Sequence, residues 1–404
     1  MLAGAEGPAV QKALQIVVAL AEIYDAQKLV PITSAQVAGV SYKNLGNAGL
    51  EFLAEWAAQG ARVRVPAFMN PAGMDLVRWR EMGISADFAA QQQRVVDALS
   101  AMGVASTCTC TPYLAGYEPC SGEHLAWSES SAVSYANSVL AARSNREGGP
   151  SALAAAISGR TAAYGLHLAE NRIATHLVDV ICALHHEADY GALGHMVGLR
   201  VADGIPYFRF LHQPQAMPRV EDRMALGAAM AASGAVALYH VEGVTPEATQ
   251  ALPLSDRLIP RVVVDDLSAA YASLDSPLDD IDLVSLGCPH STLADIERFA
   301  RLLGGRRVAC TVWITTSRPI RKAAEKRGLV SAIEASGALV LVDTCLIVSP
   351  VEHLGFTTMA TNSAKAAFYS RAHAGLERRF GTMEQCVEAA VTGRWAGDQN
   401  RHAR

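Results

Sequence analysis

Eight cysteines are spread along the 404-residue chain, and three of them stand where the backbone is expected to change direction. Cys110 lies in Cys-Thr-Cys-Thr-Pro-Tyr, Cys288 in Leu-Gly-Cys-Pro-His and Cys345 in Val-Asp-Thr-Cys, each beside a residue that breaks or caps regular structure. Three thiolates can hold an iron group with one open coordination position. Such an iron binds a substrate hydroxyl as a Lewis acid and turns a poor leaving group into a good one. Taken singly, a cysteine is more often a small buried hydrophobe than a ligand. These three form no Cys-x-x-Cys pair, so spacing alone does not overturn that reading. Cys182 in the apolar stretch Leu177 to Leu184, Cys310 in a strand pattern and Cys386 after a helical pattern read as core. Cys108 would share a side with Cys110 if the segment is extended, and it and Cys120 stay unassigned.

The elements that must position such groups are legible as periodicity. Val10 to Gln27 carries apolar residues at helical spacing, and Leu29 to Ile32 reads as a short strand after it. Val63 to Ala67 reads as a strand leading into the loop Phe68-Met69-Asn70-Pro71-Ala72-Gly73, where Pro and Gly forbid regular structure. From about Pro253 to 350 the pattern is a regular βα unit. Strands are expected at Arg261 to Val264, Asp282 to Leu286, Val308 to Ile314 and Ala338 to Val342, with helices at Thr292 to Leu303 and Pro319 to Ser336. Alternation of this kind implies a parallel sheet, whose ligands sit outside the carboxyl ends of the strands. Cys288 and Cys345 fall there. Between Ser121 and Pro150 the chain turns dense in Ser, Glu, Asn, Arg and Gly. A run this polar within an apolar chain is surface, linker or site, and its Trp, Tyr and Val content argues against a flexible linker. It reads as site.

The length predicts two or three packed α/β units. Half of the residues are apolar and 18% are charged, which excludes a disordered or fibrous chain. The net charge of −5 gives no footprint for nucleic acid, because phosphate binding needs surplus Lys and Arg. A small-molecule partner is expected instead. The N-terminus lacks the basic region of a secretory signal, and the apolar stretch Ala13 to Tyr24 is broken by Gln15 and Glu22, too short for a membrane span. The cysteines then read as thiols rather than disulfides, and the expected compartment is cytoplasmic.

Several ordered blocks together resemble the catalytic large subunit of aconitase X. They are LVPITSAQVAGVSYKNLGNAGLEFL (29–53), RVPAFMNPAGMD (64–75), TCTPY (109–113), WSESSAVSYANSVLAARSNREGGP (127–150), GRTAAYGLHLAENR (159–172), SLGCPH (285–290), DTC (343–345) and TNSAKAAFYS (361–370). They cover nearly the whole chain. The resemblance implies an aconitase-like, multi-unit α/β architecture with parallel sheets, the region 1–404 forming the large-subunit catalytic part and the swivel domain being absent. It places the family's three iron ligands on Cys110, Cys288 and Cys345, holding a [4Fe–4S] cluster, a [2Fe–2S] cluster or a mononuclear iron. It places substrate contacts on Gly39, Val40 and Ser41, on Asn70 and Pro71, on Glu129 and Ser130, and on Lys365.

Elementary chemistry agrees with these roles. Gly39 permits close backbone approach, and Ser41 offers a donor and an acceptor. The run Thr361-Asn362-Ser363 before an apolar helix reads as an N-cap, so that backbone N–H groups and Lys365 would favour an anionic group; the competing reading of Lys365 is a solvated helix face. Arg146 could clamp a carboxylate or form a structural salt bridge. Gln36 stands where the family often has His. Gln cannot titrate as a base but keeps hydrogen-bonding capacity.

The expected function is that of an iron-dependent hydro-lyase removing water from a hydroxylated carboxylic acid. The alanine-rich composition favours cis-3-hydroxy-L-proline as substrate, with 5-phosphomevalonate the alternative because the Gly39-Val40-Ser41 turn also resembles the phosphate-substrate branch. An iron-sensing regulatory protein without turnover is the reading from another class, and the absence of a basic stripe counts against RNA binding. The last block ends at Ser370, leaving only 371–404, too little for another domain with its own core. The expected partner is therefore a small swivel-domain subunit, which would supply the general base and make the enzyme a heteromer.

Overall fold

The computed structural model describes residues 1–211, 218–252 and 259–396. Among these, three sheets are parallel throughout, so each strand must be followed by a crossover before the next can pair. In the first unit Ser34–Val37 lies between Ala67–Met69 and Leu125–Trp127, and an antiparallel ribbon joins Leu29–Pro31 to Arg160–Ala162. The second unit has the order His240–Val241, Pro206–Phe210, His176–Val180, Arg261–Val264. The third has Leu339–Leu341, Thr311–Thr316, Leu283–Ser291, Thr358–Thr361 and Glu377–Phe380. Leu283, Val284, Ser285 and Leu286 are buried in succession, as a strand covered on both faces must be, and this strand is the middle one.

Local chemistry explains most boundaries. Thr292 caps Leu293–Leu303 by accepting from the Asp295 N–H, and Gly304 ends that helix in the left-handed conformation. The helix expected over Pro319 to Ser336 is two helices, Arg318–Lys326 and Leu329–Glu334, because Gly328 between them adopts φ 70°. The strand expected at Val63 to Ala67 is displaced to Ala67–Met69, so Phe68 and Met69 pair with Gln36 and Val37 instead of lying in a loop. Pro66, with no N–H to donate, precedes the strand rather than joining it. Arg261–Val264 also departs from expectation. It pairs with His176–Val180 in the second unit, so the regular βα unit begins at Leu283 rather than near Pro253, which itself lies outside the described residues.

Each unit has its own apolar cluster, and a further one forms a seam. Met74, Met82 and Ile84 from the first unit pack with Leu283, Trp313, Leu341 and Met359 from the third-unit sheet. The polar segment around 130–138 is neither surface nor linker. Every residue of the helix Ser130–Ser138 is buried, and most of its polar side chains, though not the Ser134 hydroxyl, find hydrogen-bond partners inside the protein. Asn137 donates to the carbonyls of Ser144 and Ala237 at 2.9 Å each and accepts from the Ser144 N–H at 2.9 Å.

Helices Glu187–Val201 and Val220–Ser233 pack through glycine. A Cβ at Gly194 would press into the carbonyl oxygen of Leu226, and one at Gly234 into that of Gly198. Both obstacles are backbone and cannot rotate away. Gly194→Ala is therefore expected to destabilise the protein by about 1–3 kcal/mol, measurable as a lower midpoint in urea unfolding; an unchanged midpoint would mean that the two helices part without penalty.

Candidate active site

The three cysteines singled out in the sequence reach one place from three directions. Cys288 belongs to Leu283–Ser291, in the irregular stretch where the pairing register with Thr311–Thr316 shifts, rather than following the strand as expected. Gly287 makes this possible: it has φ 95°, and a Cβ there would collide with the Thr315 carbonyl. Cys345 follows Leu339–Leu341 after a turn at Asp343, which has φ 66°. An ion pair with Arg318 at 2.7 Å holds that buried carboxylate. Cys110 precedes the turn Pro112–Leu114, and its sulfur accepts from the His290 backbone N–H at 3.3 Å.

The thiols lie close enough to bias one another. Burial pushes all three upward in pKa, Cys345 to about 12, and the charge on Cys345 and Cys288 adds to the rise at Cys110. Thiols raised in this way, Cys110 buried and Cys288 and Cys345 half-buried, keep their protons unless a cation replaces them. Among the described residues no group of three or more His, Cys, Asp or Glu side chains has the arrangement that holds a metal ion. The remaining cysteines lie apart. Cys108 is not extended but has φ 44°, and it senses Asp343 and Arg318 rather than the other thiols. Cys386 is buried, Cys182 and Cys310 are half-buried, and Cys120 is exposed.

Beside the thiols is a buried ion pair. Glu129 caps the helix Ser130–Ser138, and its carboxylate accepts from Lys365, from Asn70 Nδ2 at 2.9 Å and from the Ser131 hydroxyl at 3.0 Å. Lys365 Nζ also reaches Ser130 Oγ at 3.4 Å and Ser131 Oγ at 3.3 Å. Burial opposes ionisation of Glu129, but the Lys365 ammonium and these hydrogen bonds hold its carboxyl down at about 2. Burial likewise works against the charge of Lys365, and Glu129 together with the neighbouring thiols more than offsets it, so the ammonium is retained. Lys365 is thus no solvated residue: its side chain is 11% exposed.

Asn70, Glu129, Ser130 and Lys365 therefore form one network. Gly39, Val40 and Ser41 stand on the Cys345 side. Gly39 has φ 76°, Val40 O accepts from Gln92 at 2.8 Å, and Ser41 donates its hydroxyl to the Val348 carbonyl at 2.7 Å. Pro71 is buried in the turn that the Ala72 N–H fastens to Asp343 O at 2.7 Å. Ser363 is the expected N-cap, accepting from the Ala366 N–H at 3.1 Å, and it also donates to the Cys288 carbonyl. Arg146 is exposed and hydrogen-bonds the Ala231 carbonyl at 3.3 Å.

Two participants, Ser131 and His290, escaped the sequence reading, and Gln36, which it noted, joins them. Ser131 shares the ion pair with Ser130, and a tandem serine after Glu was the available signal. His290 is fully buried, with Nδ1 2.9 Å from Thr109 Oγ1 and Nε2 2.8 Å from Thr344 O; burial pushes its imidazole down to about 4, hence neutral. Gln36 is also fully buried. Its Nε2 donates to Thr109 O at 3.1 Å, while its Oε1, like Asn70 Oδ1, has no partner among the described residues.

Family models for the first, second and third domains of aconitase X match residues 1–170, 174–272 and 281–392. The phosphomevalonate dehydratase large subunit of Methanothermobacter thermautotrophicus is 54% identical over 379 residues, 93% of either chain. The cis-3-hydroxy-L-proline dehydratase of Pseudomonas aeruginosa is 37% identical over 404 residues, covering 98% of this chain but 69% of that protein. A crystal structure of Thermococcus kodakaraensis aconitase X in its holo form superposes with a TM-score of 0.89 at 44% identity, covering 96% of this chain and 97% of that one. The matches run through the segments that carry the thiols, Glu129 and Lys365, and the chain belongs to the aconitase X family as a large, catalytic subunit, a hydro-lyase of the aconitase superfamily.

Proposed function

We propose that this large subunit dehydrates 5-phosphomevalonate in company with a separate small swivel-domain subunit. The observation that carries the substrate is the 54% identity to a phosphomevalonate dehydratase large subunit of matching length, against 37% to a cis-3-hydroxy-L-proline dehydratase. The expectation of cis-3-hydroxy-L-proline rested on alanine-rich composition, which reports on the chain at large and not on the residues that touch substrate. The partner is supported by the three matched domains and by the longer single chain of the cis-3-hydroxy-L-proline dehydratase.

We also propose an iron cofactor on Cys110, Cys288 and Cys345. A single ion draws its ligands to one point, with sulfur about 2.3 Å away for zinc, whereas thiolates on different irons of a cluster are separated by the cluster itself. Three thiols near enough to bias one another's ionisation are what supports the reading, and a [4Fe–4S] cluster, a [2Fe–2S] cluster and a mononuclear iron all stay open to it. The unpartnered buried oxygens of Gln36 and Asn70 are further acceptors not yet satisfied within the chain. When bound, an iron with an open position supplies Lewis-acid assistance to the departing hydroxyl.

The chain's own residues bind and orient. Lys365 is a fixed cation that can be shared between Glu129 and an anionic group of the substrate. Glu129 is ionised at neutral pH, so it accepts hydrogen bonds and has no proton to donate. Asn70 Oδ1 is free to accept from a substrate hydroxyl. Burial of this network excludes water and strengthens each of these interactions. The proton-abstracting base is assigned to the swivel subunit.

Replacing Cys110, Cys288 or Cys345 by Ala should abolish iron retention after anaerobic reconstitution, measured as iron and sulfide per chain, whereas Cys182→Ala, Cys310→Ala and Cys386→Ala should keep it. Lys365→Ala should lower the specificity constant more than tenfold, as loss of one partner of a buried pair typically costs about 2–5 kcal/mol. Its pH signature is distinctive. In the native protein Glu129 is depressed to about 2, so its contribution is present above the ordinary carboxylate range and is lost only as pH falls through about 2. In Lys365→Met the orphaned carboxyl rises above its unfolded value, and destabilisation of about 3–5 kcal/mol at pH 8 should shrink by pH 5. Equal loss at both pH values would contradict an ionised, paired Glu129. Finally, the iron-loaded chain alone should be nearly inactive, and addition of the small subunit should restore turnover of 5-phosphomevalonate in preference to cis-3-hydroxy-L-proline. Full turnover without added protein would place the base within this chain.

A further inference from the structure

We infer that His290 is a positioning residue that joins the three cysteine-bearing segments into one cradle. The inference rests on the proposed three-thiol cofactor site and deepens it. His290 follows Cys288 by two residues and belongs to the central strand Leu283–Ser291. That strand is held on the Thr311–Thr316 side by Ser291 opposite Thr316 and by the Thr316 hydroxyl, which donates to Ser291 O at 2.7 Å. The other two cysteines lie on irregular backbone and need an anchor.

The imidazole supplies one to each. Nε2 is 2.8 Å from Thr344 O, the residue before Cys345. A carbonyl only accepts, so Nε2 carries the ring hydrogen. Nδ1 lies 2.9 Å from the Thr109 hydroxyl, one residue before Cys110, and with the hydrogen on Nε2 alone it accepts from that hydroxyl. The Thr109 oxygen has room for this assignment, because it accepts in turn from the Thr111 N–H at 3.1 Å and lies 3.2 Å from the Thr111 hydroxyl. The backbone N–H of His290 donates directly to Cys110 Sγ at 3.3 Å. One fully buried residue thus fastens segments 180 and 54 positions away in sequence. Both ring bonds run along fixed directions, and a ring that cannot flex sets the spacing of the two loops relative to Cys288. This is the second-layer support that metal-site residues require if their geometry is to be reproducible.

The test separates positioning from general stability. His290→Ala removes both links, His290→Asn keeps an amide near the Nδ1 position and so the Thr109 link, and His290→Gln keeps one near Nε2 and so the Thr344 link. His240 is an equally buried histidine bonded to Arg172 O at 2.9 Å, and His240→Asn is the control for the loss of a buried histidine. After anaerobic reconstitution with iron and sulfide, His290→Ala should hold less than a tenth of the native iron and lose the visible circular dichroism of the bound group. His290→Asn and His290→Gln should each recover part of both, and His240→Asn should load fully even where it melts lower. Native loading of His290→Ala, or iron loss that follows melting temperature across all four variants, would overturn the inference. In iron-free native protein, nitrogen-15 resonances of the imidazole should report a hydrogen on Nε2, whereas hydrogen on Nδ1 alone would overturn the inference. Should the native chain take up no iron at all, the cofactor reading falls, and the tautomer alone decides whether His290 joins the segments.

Discussion

The pairing of Glu129 with Lys365 is the constraint around which the rest is arranged. An isolated carboxylate taken out of water is strongly destabilising, and so is an isolated ammonium. Here each is stable only because the other arrives from a different unit: Glu129 from the end of the first-unit strand Leu125–Trp127, Lys365 from the first turn after the third-unit strand Thr358–Thr361. The apolar seam of Met74, Met82 and Ile84 against Trp313 and Met359 brings the two units into register. The serines of helix Ser130–Ser138 and the amide of Asn70 then satisfy the remaining valences of the pair. In the proposed role, a substrate anion would meet a cation already oriented, and orientation in place before binding is what favours the transition state over the ground state.

Local pattern made the third unit readable. Leu283 to Leu286 announces itself as a strand buried on both faces, and Thr292-Leu293-Ala294-Asp295 carries its own cap. Errors arose where a longer-range competitor decided. Arg261–Val264 has the composition of a strand in either neighbouring sheet, and only pairing with His176–Val180 assigns it. Gly328 looked tolerable within one long helix, yet its positive φ ends one helix and starts another.

The site was legible to a different degree. Nothing in the spacing of Cys110, Cys288 and Cys345 predicts that they meet; the resemblance to a family did. Burial of Lys365 could not be read locally, because the residue that makes it tolerable lies 236 positions earlier. The polarity of Ser121 to Pro150 read as a site and hid the fact that its helix is core, since polar side chains that find partners inside the protein can be interior. Ser131 and His290 were overlooked for the same reason: their partners lie on other segments.

The distance in sequence between Glu129 and Lys365 also bears on how the chain is made. Domains form in order as they leave the ribosome, and the first unit has its three-stranded sheet complete long before Lys365 is synthesised. Through that interval Glu129 must stay hydrated, so the newborn first unit presents an open, wet edge where the finished protein has a dry interior. Cys110 waits on the same edge, a thiol without its two companions, and any oxidant or stray metal ion present then has access that the completed molecule denies. Assembly of the site consequently waits for the third unit, and the closing of that edge marks the completion of the interior that Glu129 and Lys365 share.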